Sequence, residues 1–311
     1  MSQHYVVTGA GPVGYTVAEQ LVEAGHEVRI LTRSGSGPEH PGVERMAVDA
    51  RDERAVSAAA SGAAAIFHCT HAAYNAAAWR TELPAAEQAV LRAAHGAVVV
   101  FPESLYAYTG ASGLMTEDSP RTAAGGKRGV RTALLAARGL SPTPTVSIVA
   151  ADLFGPLVRK AHAGERMVPA VLAGRTVRVL GRPDTPHSFT YVPDYARAMI
   201  AAAGTPATWD SVVHAPTGPA LTQRELVEAF ADAAGTSARV GTLPSWVIRA
   251  GSVAPGPLRE LAEMLYQFTE PFVMDSRRSE ALLGLSPTPL VDAAHATVEW
   301  WRGAVRAQAA A

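Results

Sequence analysis

The fold is decided by residues 6 to 14, Val6-Val7-Thr8-Gly9-Ala10-Gly11-Pro12-Val13-Gly14, where an apolar strand runs directly into a glycine turn. The residues that follow, Tyr15 to Ala24, have a helical pattern, and Glu27 to Thr32 have the pattern of a second strand. Strand, glycine turn, helix and strand in this order predict a βαβ unit. The turn then lies at the N-terminus of the helix.

The three glycines of this turn are spaced as in dinucleotide-binding sites. Gly9 allows a tight turn, Gly11 lets the backbone approach a pyrophosphate, and Gly14 lets the helix pack on the strand. The helix N-terminus presents free N–H groups to the anion, so Pro12 and Val13 are predicted to belong to the same phosphate cradle. The alternative is a glycine-rich turn that is a plain loop.

The composition is that of a soluble globular enzyme with a large core. Of the 311 residues, 48% are apolar and 18% are charged, and the formal net charge is −1. No basic excess indicates a nucleic-acid partner, and no apolar run has the length of a membrane span. The start, Met1-Ser2-Gln3-His4, leads directly into the first strand, so a cytoplasmic location is expected. The only cysteine, Cys69, excludes an internal disulfide and a thiolate metal cage.

Apolar runs alternate with alanine-rich helical stretches through the first half of the chain. The predicted strands are Tyr5 to Thr8, Val28 to Leu31, Val43 to Val48, Ala65 to Cys69, Ala97 to Phe101, Thr145 to Ala150 and Val212 to His214. The predicted helices between them are Ala55 to Ala60, Ala85 to Ala94 and Arg131 to Arg138. Later, Thr222 and Glu225 form the capping box of a further helix.

This alternation of strands and helices predicts an α/β fold. It is a Rossmann doubly wound parallel sheet with a smaller, mostly helical C-terminal substrate lobe. We assign residues 1–165, with a returning segment of about 187–222, to the dinucleotide-binding domain. Residues 166–186 and 223–311 are assigned to the substrate lobe.

Several motifs together resemble the short-chain dehydrogenase/reductase superfamily, in its extended branch of epimerases and dehydratases and its atypical members. The resemblance covers nearly the whole chain. The motifs are the TGAxGxxG form of the glycine turn, Val48-Asp49-Ala50-Arg51-Asp52, Phe67-His68-Cys69-Thr70, Ser104 to Tyr108, Leu153-Phe154-Gly155-Pro156 and Tyr191-Val192-Pro193-Asp194. The resemblance implies that Asp49, with Ala50, contacts the adenine, and that Cys69, Thr70 and His71 pass beside the nicotinamide ribose.

The end of the second strand indicates which dinucleotide is bound. Relatives that use NAD place an acidic residue there, whereas this chain has Thr32-Arg33-Ser34. A carboxylate would bind the ribose 2′-hydroxyl, but a guanidinium is a bidentate partner for a 2′-phosphate. NADP(H) is therefore the predicted cofactor, and the alternative for Arg33 is an exposed surface arginine.

The catalytic residues depart from the superfamily pattern, in which a Ser or Thr after the fifth strand acts with a Tyr-xxx-Lys on the next helix. Ser104 and Tyr108 have the SxxxY spacing, so Ser104 is the predicted donor to a substrate carbonyl. No tyrosine lies between Thr109 and Tyr191. By register, Lys127 takes the tyrosine position and Arg131 the lysine position.

Lys127 is therefore a candidate acid or cation stabiliser. Arg131 is a candidate ligand for a ribose hydroxyl or phosphate, because its permanent charge prevents proton relay. The alternative is that both are solvated charges at a helix start. Tyr106 and Tyr108 are the provisional replacements for the missing acid.

Fewer sequence features indicate the substrate and the residues that contact it. Extended members that act on nucleotide-linked sugars carry an arginine where this chain has His187, and a neutral imidazole is a poor diphosphate partner. A smaller or more apolar substrate is expected. The predicted substrate contacts are His68, His187, Phe154 and Tyr266. His68 and His71 lack a third ligand at a recognisable spacing, so no metal is expected.

The sequence thus predicts an atypical NADP(H)-dependent reductase of a carbonyl or conjugated double bond in a small, fairly apolar metabolite. The alternatives are a non-redox cyclase or dehydratase on the same fold and a catalytically silent NADP(H)-binding sensor. The resemblance implies that a homodimer through two helices is one possible assembly, and the sequence leaves the oligomeric state open. Asp194 is the expected N-cap of the helix that follows it.

Overall fold

A parallel sheet forms the centre of the molecule. The computed structural model describes residues 2–109, 113–252 and 256–309. The strands in these ranges are β1 (His4–Thr8), β2 (Glu27–Thr32), β3 (Val43–Ala47), β4 (Ala65–His68), β5 (Val98–Ser104), β6 (Leu114–Met115), β7 (Thr145–Ala150), β8 (Asp152–Phe154), β9 (Val177–Leu180), β10 (Phe189–Tyr191), β11 (Ser211–His214), β12 (Val240–Leu243) and β13 (Val273–Met274). The helices in these ranges are α1 (Pro12–Glu23), α2 (Glu53–Ala60), α3 (Ala76–Ala93), α4 (Gly126–Gly139), α5 (Val168–Leu172), α6 (Val192–Ala203), α7 (Gln223–Ala234), α8 (Ser245–Gly251), α9 (Pro257–Glu263), α10 (Arg277–Leu283) and α11 (Leu290–Ala309).

Within the described ranges, the central sheet has seven strands in the order β11-β7-β5-β4-β1-β2-β3, and every neighbouring pair is parallel. The seven predicted strands are the seven strands of this sheet. The strand order turns back at β1, as in a doubly wound fold. The predicted Rossmann architecture is confirmed.

Both faces of the sheet are covered, which explains why its strands are nearly continuous apolar runs. On one face, Val7 and Phe67 pack with α1 and α6. On the other, Val6 and Ile66 pack with α2 and α3. The strand ends are thereby held in register at one edge of the sheet.

A second hydrophobic core lies beyond β8. It contains Phe154, α5, β9, α7 and α11. The helix α7 begins with the predicted capping box, in which Thr222 Oγ1 accepts from the Glu225 N–H and the Glu225 carboxylate accepts from the Thr222 N–H. The residue boundaries assigned to the two lobes stay a prediction.

Two local predictions need correction. The helix α1 begins at Pro12 instead of Tyr15, since proline is favoured in the first turn. Asp194 was expected to cap α6, but Tyr191 is the N-cap and Asp194 accepts from the backbone N–H and the hydroxyl of Thr288 at 2.6 Å each. Among the described residues, no helix has both the length and the apolar character needed to cross a bilayer.

Candidate active site

A cleft of about 1040 Å³ opens at the carboxyl ends of the central strands. Its wall includes Gly11 after β1, Cys69 after β4, Ser104 at the end of β5 and Asp152 after β7. In doubly wound sheets, ligands bind in this crevice, where the strand order reverses. The cleft is therefore the candidate active site.

The glycine turn forms one end of the cleft with the geometry that a pyrophosphate requires. Gly9 has a φ of +87°, and a Cβ atom there would lie 2.8 Å from the carbonyl oxygen of Cys69. A Cβ atom on Gly14 would lie 2.1 Å from the Gly9 carbonyl oxygen, whereas one on Gly11 would meet nothing within 4 Å. Thr70 packs behind the turn, against Gly9.

The N-terminus of α1 is open towards the same space. Gly11 is its N-cap, no side chain caps it, and its first turn holds no acidic residue. Pro12, Val13 and Gly14 line the cleft beside it. Backbone N–H groups and the helix dipole are thus available to a phosphate, so the residues present fit a dinucleotide.

The predicted adenosine contacts lie at the neighbouring strand ends, outside the lining of the cleft. Thr32, Arg33 and Ser34 end or follow β2, and Asp49 and the buried Ala50 follow β3. Side-chain hydrogen bonds from Arg51, the shortest of 2.6 Å, lower the pKa of Asp49 to about 2, and the charge of Arg33 contributes. Within the described ranges, the exposed Arg33 makes no hydrogen bond and no ion pair.

The other end of the cleft holds a cationic and aromatic cluster. The guanidinium of Arg131 lies 4.7 Å from the ring centre of Trp79 and 3.4 Å from Glu103 Oε1. It also donates to His71 Nε2 at 3.1 Å, while His71 Nδ1 donates to the Ala72 carbonyl at 2.7 Å. Burial, together with the charge of Arg131, lowers the pKa of His71 to about 4, so this imidazole is neutral at pH 7. Burial also raises the pKa of the Cys69 thiol, which stays protonated.

Ser104 and Tyr106, two of the predicted catalytic residues, line the cleft. The backbone N–H of Ser104 donates to Glu103 Oε1 at 2.8 Å, which fixes the end of β5. The hydroxyl of Tyr106 lies 3.2 Å from that of Tyr74. Burial raises the pKa of Tyr106 well above its usual value, so its phenol is not tuned for proton transfer near neutral pH.

Tyr108 and Lys127, the other two predicted catalytic residues, do not line the cleft. The Tyr108 hydroxyl is buried against His214 Nε2 at 2.7 Å, and burial raises its pKa to about 12. Lys127 is fully buried, and its Nζ lies 2.5 Å from Glu260 and 3.1 Å from Glu263. The structure therefore places Tyr108 in a packing role and makes Lys127 a link between α4 and α9.

The four predicted substrate contacts also lie behind the wall of the cleft. His68 is buried 2.8 Å from Thr8 Oγ1, with its pKa lowered to about 3 by burial and by two nearby arginines. Phe154 belongs to the second core, and Tyr266 packs against Phe272 and Arg128. His187 is buried behind Asp152. None of the four lines the cleft.

The family of the chain is shown by a sequence match that covers most of its length. The model of the NAD dependent epimerase/dehydratase family matches residues 5–213. The chain belongs to the epimerase/dehydratase family. A search of curated proteins found no match.

Solved structures, among them two epimerases, share the fold of this epimerase/dehydratase-family protein. The UDP-glucose 4-epimerase of Thermotoga maritima, solved with UDP-glucose, is 18% identical with a TM-score of 0.76, covering 97% of this chain and 99% of that one. The enzyme WbmH of Bordetella bronchiseptica, solved with NAD+, is 18% identical with a TM-score of 0.75 and the same coverage. The UDP-N-acetylglucosamine 4-epimerase of Bacillus cereus is 17% identical with a TM-score of 0.76, covering 97% of each chain.

Sequence reasoning missed several polar residues of this epimerase/dehydratase cleft. Asp152 and His162 line it, and Glu103 lies between Arg131 and the backbone of Ser104. Asp152 comes two residues after the end of the strand β7, and the rule that strand carboxyl ends meet at one crevice would have found it. His162 has no comparable signal, because it lies in a loop far from any predicted strand. Among the described residues, no group of acidic, histidine or cysteine side chains is arranged to hold a metal ion.

The buried ion pairs of Lys127 lead to a stability prediction. We expect Lys127→Met to lower the free energy of unfolding by about 2–3 kcal/mol, because it leaves two part-buried carboxylates without their cation. The matched control is Lys160→Met on an exposed lysine, expected to change it by less than about 0.5 kcal/mol. Urea unfolding of both variants measures the difference, and equal effects would contradict a structural role for the Lys127 pairs.

Proposed function

We propose that this epimerase/dehydratase-family protein is an NADP(H)-dependent oxidoreductase. Its substrate would be a carbonyl, the corresponding alcohol or a conjugated double bond in a small, fairly apolar metabolite. The observation that carries the proposal is one continuous cleft that joins the glycine cradle to a pocket lined by apolar side chains, among them Leu180, Met264 and Phe268. A dinucleotide would fill the first part and the metabolite the second.

Different residues of the cleft would bind different parts of the cofactor. Gly11 and the N-terminus of α1 would hold the pyrophosphate, and Arg131 would hold the nicotinamide ribose. Arg33 supports NADP(H) over NAD(H), because its exposed guanidinium has no ion-pair partner among the described residues and can bind a 2′-phosphate. When bound, the nicotinamide ring supplies or accepts the hydride.

The apolar pocket supports a metabolite that lacks a diphosphate. At the position where sugar-nucleotide relatives carry an arginine, this chain has His187, which is engaged with Asp152 and does not line the cleft. Two exposed cations, Lys160 and Arg166, lie on the wall of the cleft, so any charge on the substrate is expected to be negative.

We expect Arg33→Ala to weaken NADPH binding by about 10- to 100-fold, since hydrogen bonds to charged groups contribute about 1.5–3 kcal/mol. NADH affinity is expected to stay within about twofold, because NADH has no 2′-phosphate. Calorimetric titration of both nucleotides measures the split, and Arg239→Ala on another exposed arginine is the control. Equal losses for NADPH and NADH would refute the role of Arg33.

The reaction itself is tested by nicotinamide absorbance with a panel of small carbonyls and enones, to which UDP-glucose is added as a probe of the sugar-nucleotide reaction. Consumption of NADPH with a carbonyl or an enone supports the proposal. Turnover of a carbonyl or an enone without any absorbance change would favour the cyclase or dehydratase alternative. Turnover of UDP-glucose would contradict the small, fairly apolar substrate. Tight NADPH binding without turnover of any probe would favour the sensor.

A further inference from the structure

Asp152 and His187 form a buried pair at the wall of the cleft. Ser104 pairs with Ala150, the last residue of β7, and Asp152 begins β8 two residues further along the chain. His187 Nε2 lies 3.1 Å from Asp152 Oδ2, and His187 Nδ1 lies 3.0 Å from the carbonyl oxygen of Gln267. The carboxylate of Asp152 lines the cleft, whereas the imidazole lies behind it.

These contacts determine the number of protons on the pair. A backbone carbonyl can only accept, so Nδ1 of His187 carries a proton and donates to Gln267. The contact between Nε2 and Asp152 Oδ2 also needs a proton, because two lone pairs would otherwise face each other. One proton therefore lies between His187 Nε2 and Asp152 Oδ2. The pair is then either an imidazolium beside a carboxylate or a neutral imidazole beside a carboxylic acid.

The imidazole is held rigidly, which leaves the carboxylate as the reactive group. The ring of His187 stacks on Phe268 at 5.2 Å and packs against Phe189 and Phe272. Within the described ranges, Oδ1 of Asp152 has no hydrogen bond. One oxygen of the carboxylate is thus fixed by His187, and the other is available to a ligand in the cleft.

The other titratable groups around Asp152 are poor alternatives. Burial raises the pKa of Tyr74 and Tyr266 to about 12 and raises that of Tyr106 well above its usual value, and in each case the charge of Asp152 adds to the effect. Burial lowers the pKa of His162 to about 4. Near neutral pH these four side chains are uncharged and do not exchange protons readily.

We propose that Asp152 is the acid–base residue of the cleft and that His187 is its positioning residue. The proposal rests on the oxidoreductase function proposed above. In alcohol oxidation, Asp152 Oδ1 takes the hydroxyl proton, the O–H electron pair becomes the second bond of the carbonyl, and the carbon-bound hydrogen leaves with its electron pair to the oxidised nicotinamide dinucleotide. His187 stabilises the carboxylate through Oδ2 throughout. Reduction runs through the same atoms in reverse.

The first test needs no substrate. Long-range ¹H–¹⁵N spectra of ¹⁵N-histidine-labelled enzyme report the protons on each imidazole, and His187→Gln identifies the signals of His187. We expect His187 in the intact enzyme to be protonated on Nδ1 and to share a proton on Nε2. In Asp152→Asn the amide can donate to Nε2, so the Nε2 signal should move to that of a neutral acceptor. An unprotonated Nε2 facing an ionised Asp152 would overturn the proposal.

The second test uses the carbonyl of the panel with the fastest turnover and its alcohol. Asp152→Asn should lower kcat by about 10²- to 10⁴-fold, the range of general acid–base catalysis. His187→Gln should lower kcat by about 10- to 100-fold, as on loss of an orienting partner, with little change in KM because His187 does not line the cleft. The double variant should be no slower than Asp152→Asn alone, because the two residues act as one unit.

Asp184→Asn is the matched control, since Asp184 is an exposed aspartate paired with Arg224 at 2.7 Å and lies outside the lining of the cleft. It should retain the kcat of the unchanged enzyme. Turnover by Asp152→Asn equal to that of this control would overturn the acid–base role alone. Absence of turnover with every carbonyl would overturn the proposed oxidoreductase function and this role with it, whereas NADPH binding would remain intact.

Discussion

Replacing Arg138 with methionine is expected to lower the free energy of unfolding by about 3–5 kcal/mol, the range found when one partner of a buried ion pair is removed. The guanidinium is buried and bonds Glu87 at 2.5 and 2.9 Å, Glu103 at 2.9 Å and Ser147 at 3.0 Å. It also lies 4.1 Å from the ring centre of Phe101. Methionine fills similar volume without charge, so the buried carboxylate of Glu87 loses its cation and that of Glu103 loses the nearer of its two cations.

The charge of Arg138 is maintained by its partners. Burial alone would lower the pKa of Arg138, but the carboxylates of Glu87 and Glu103 reverse this and raise it. In the methionine variant Glu87 lacks its cation, and Glu103 keeps only the more distant Arg131, at 3.4 Å. The burial of this uncompensated charge is the source of the expected loss of stability.

Denaturant unfolding measures the loss. Arg92→Met is the control, since Arg92 pairs with Glu53 on the surface at 2.6 Å, with both side chains about half exposed. Surface pairs contribute about 0–1 kcal/mol, so this variant should change little. Equal losses in the two variants would show that the buried network adds nothing beyond an ordinary surface pair.

The ion-pair network of Glu87, Arg138, Glu103 and Arg131 also explains why charged side chains are buried beside the cleft. Glu103 binds Arg138 with one carboxylate oxygen and faces Arg131 and the Ser104 N–H with the other. Arg131 in turn donates to His71, which also lines the cleft. Buried ion pairs are costly compared with apolar packing, so their use here is consistent with the fixing of cleft residues in position.

The fold could be predicted because its signals are local. Each strand of the central sheet is a short apolar run, and alternation with helical stretches is enough to imply parallel pairing. The glycine turn is equally local. Of the residues assigned to the cofactor from it and from the family resemblance, the structure brings seven to the cleft: Gly11, Pro12, Val13, Gly14, Cys69, His71 and Arg131.

The catalytic predictions depended on partners that are distant in sequence, and these could not be foreseen. Lys127 is paired by Glu260 and Glu263, more than 130 positions away. Tyr108 is bound by His214, 106 positions away. A motif position gives the backbone location of a side chain, but the direction in which that side chain is held depends on packing of segments that show no shared pattern.

A pair of alanine substitutions in the glycine turn should separate binding from folding. Gly14→Ala would bring a Cβ atom to 2.1 Å from the backbone oxygen of Gly9, so the turn or the helix must shift. We expect it to lower stability by about 1–3 kcal/mol, the usual cost of overpacking, and to abolish NADPH binding. Gly11→Ala would meet no protein atom within 4 Å, at a φ of −70° that alanine adopts readily.

The Gly11 variant should therefore fold with a loss of no more than about 1 kcal/mol, the cost of alanine at an N-cap. Its methyl group would stand where the pyrophosphate approaches, so the nucleotide should no longer bind tightly. Thermal unfolding with NADPH at about 100 times the Kd of the unchanged protein is the measurement, since binding then adds about 2.7 kcal/mol. Gly14→Ala should be less stable than the unchanged protein without nucleotide and should gain no stability from NADPH. Gly11→Ala should keep most of its stability without nucleotide but should also gain none from NADPH. Full stabilisation of Gly11→Ala by NADPH would mean that the dinucleotide does not lie against this turn.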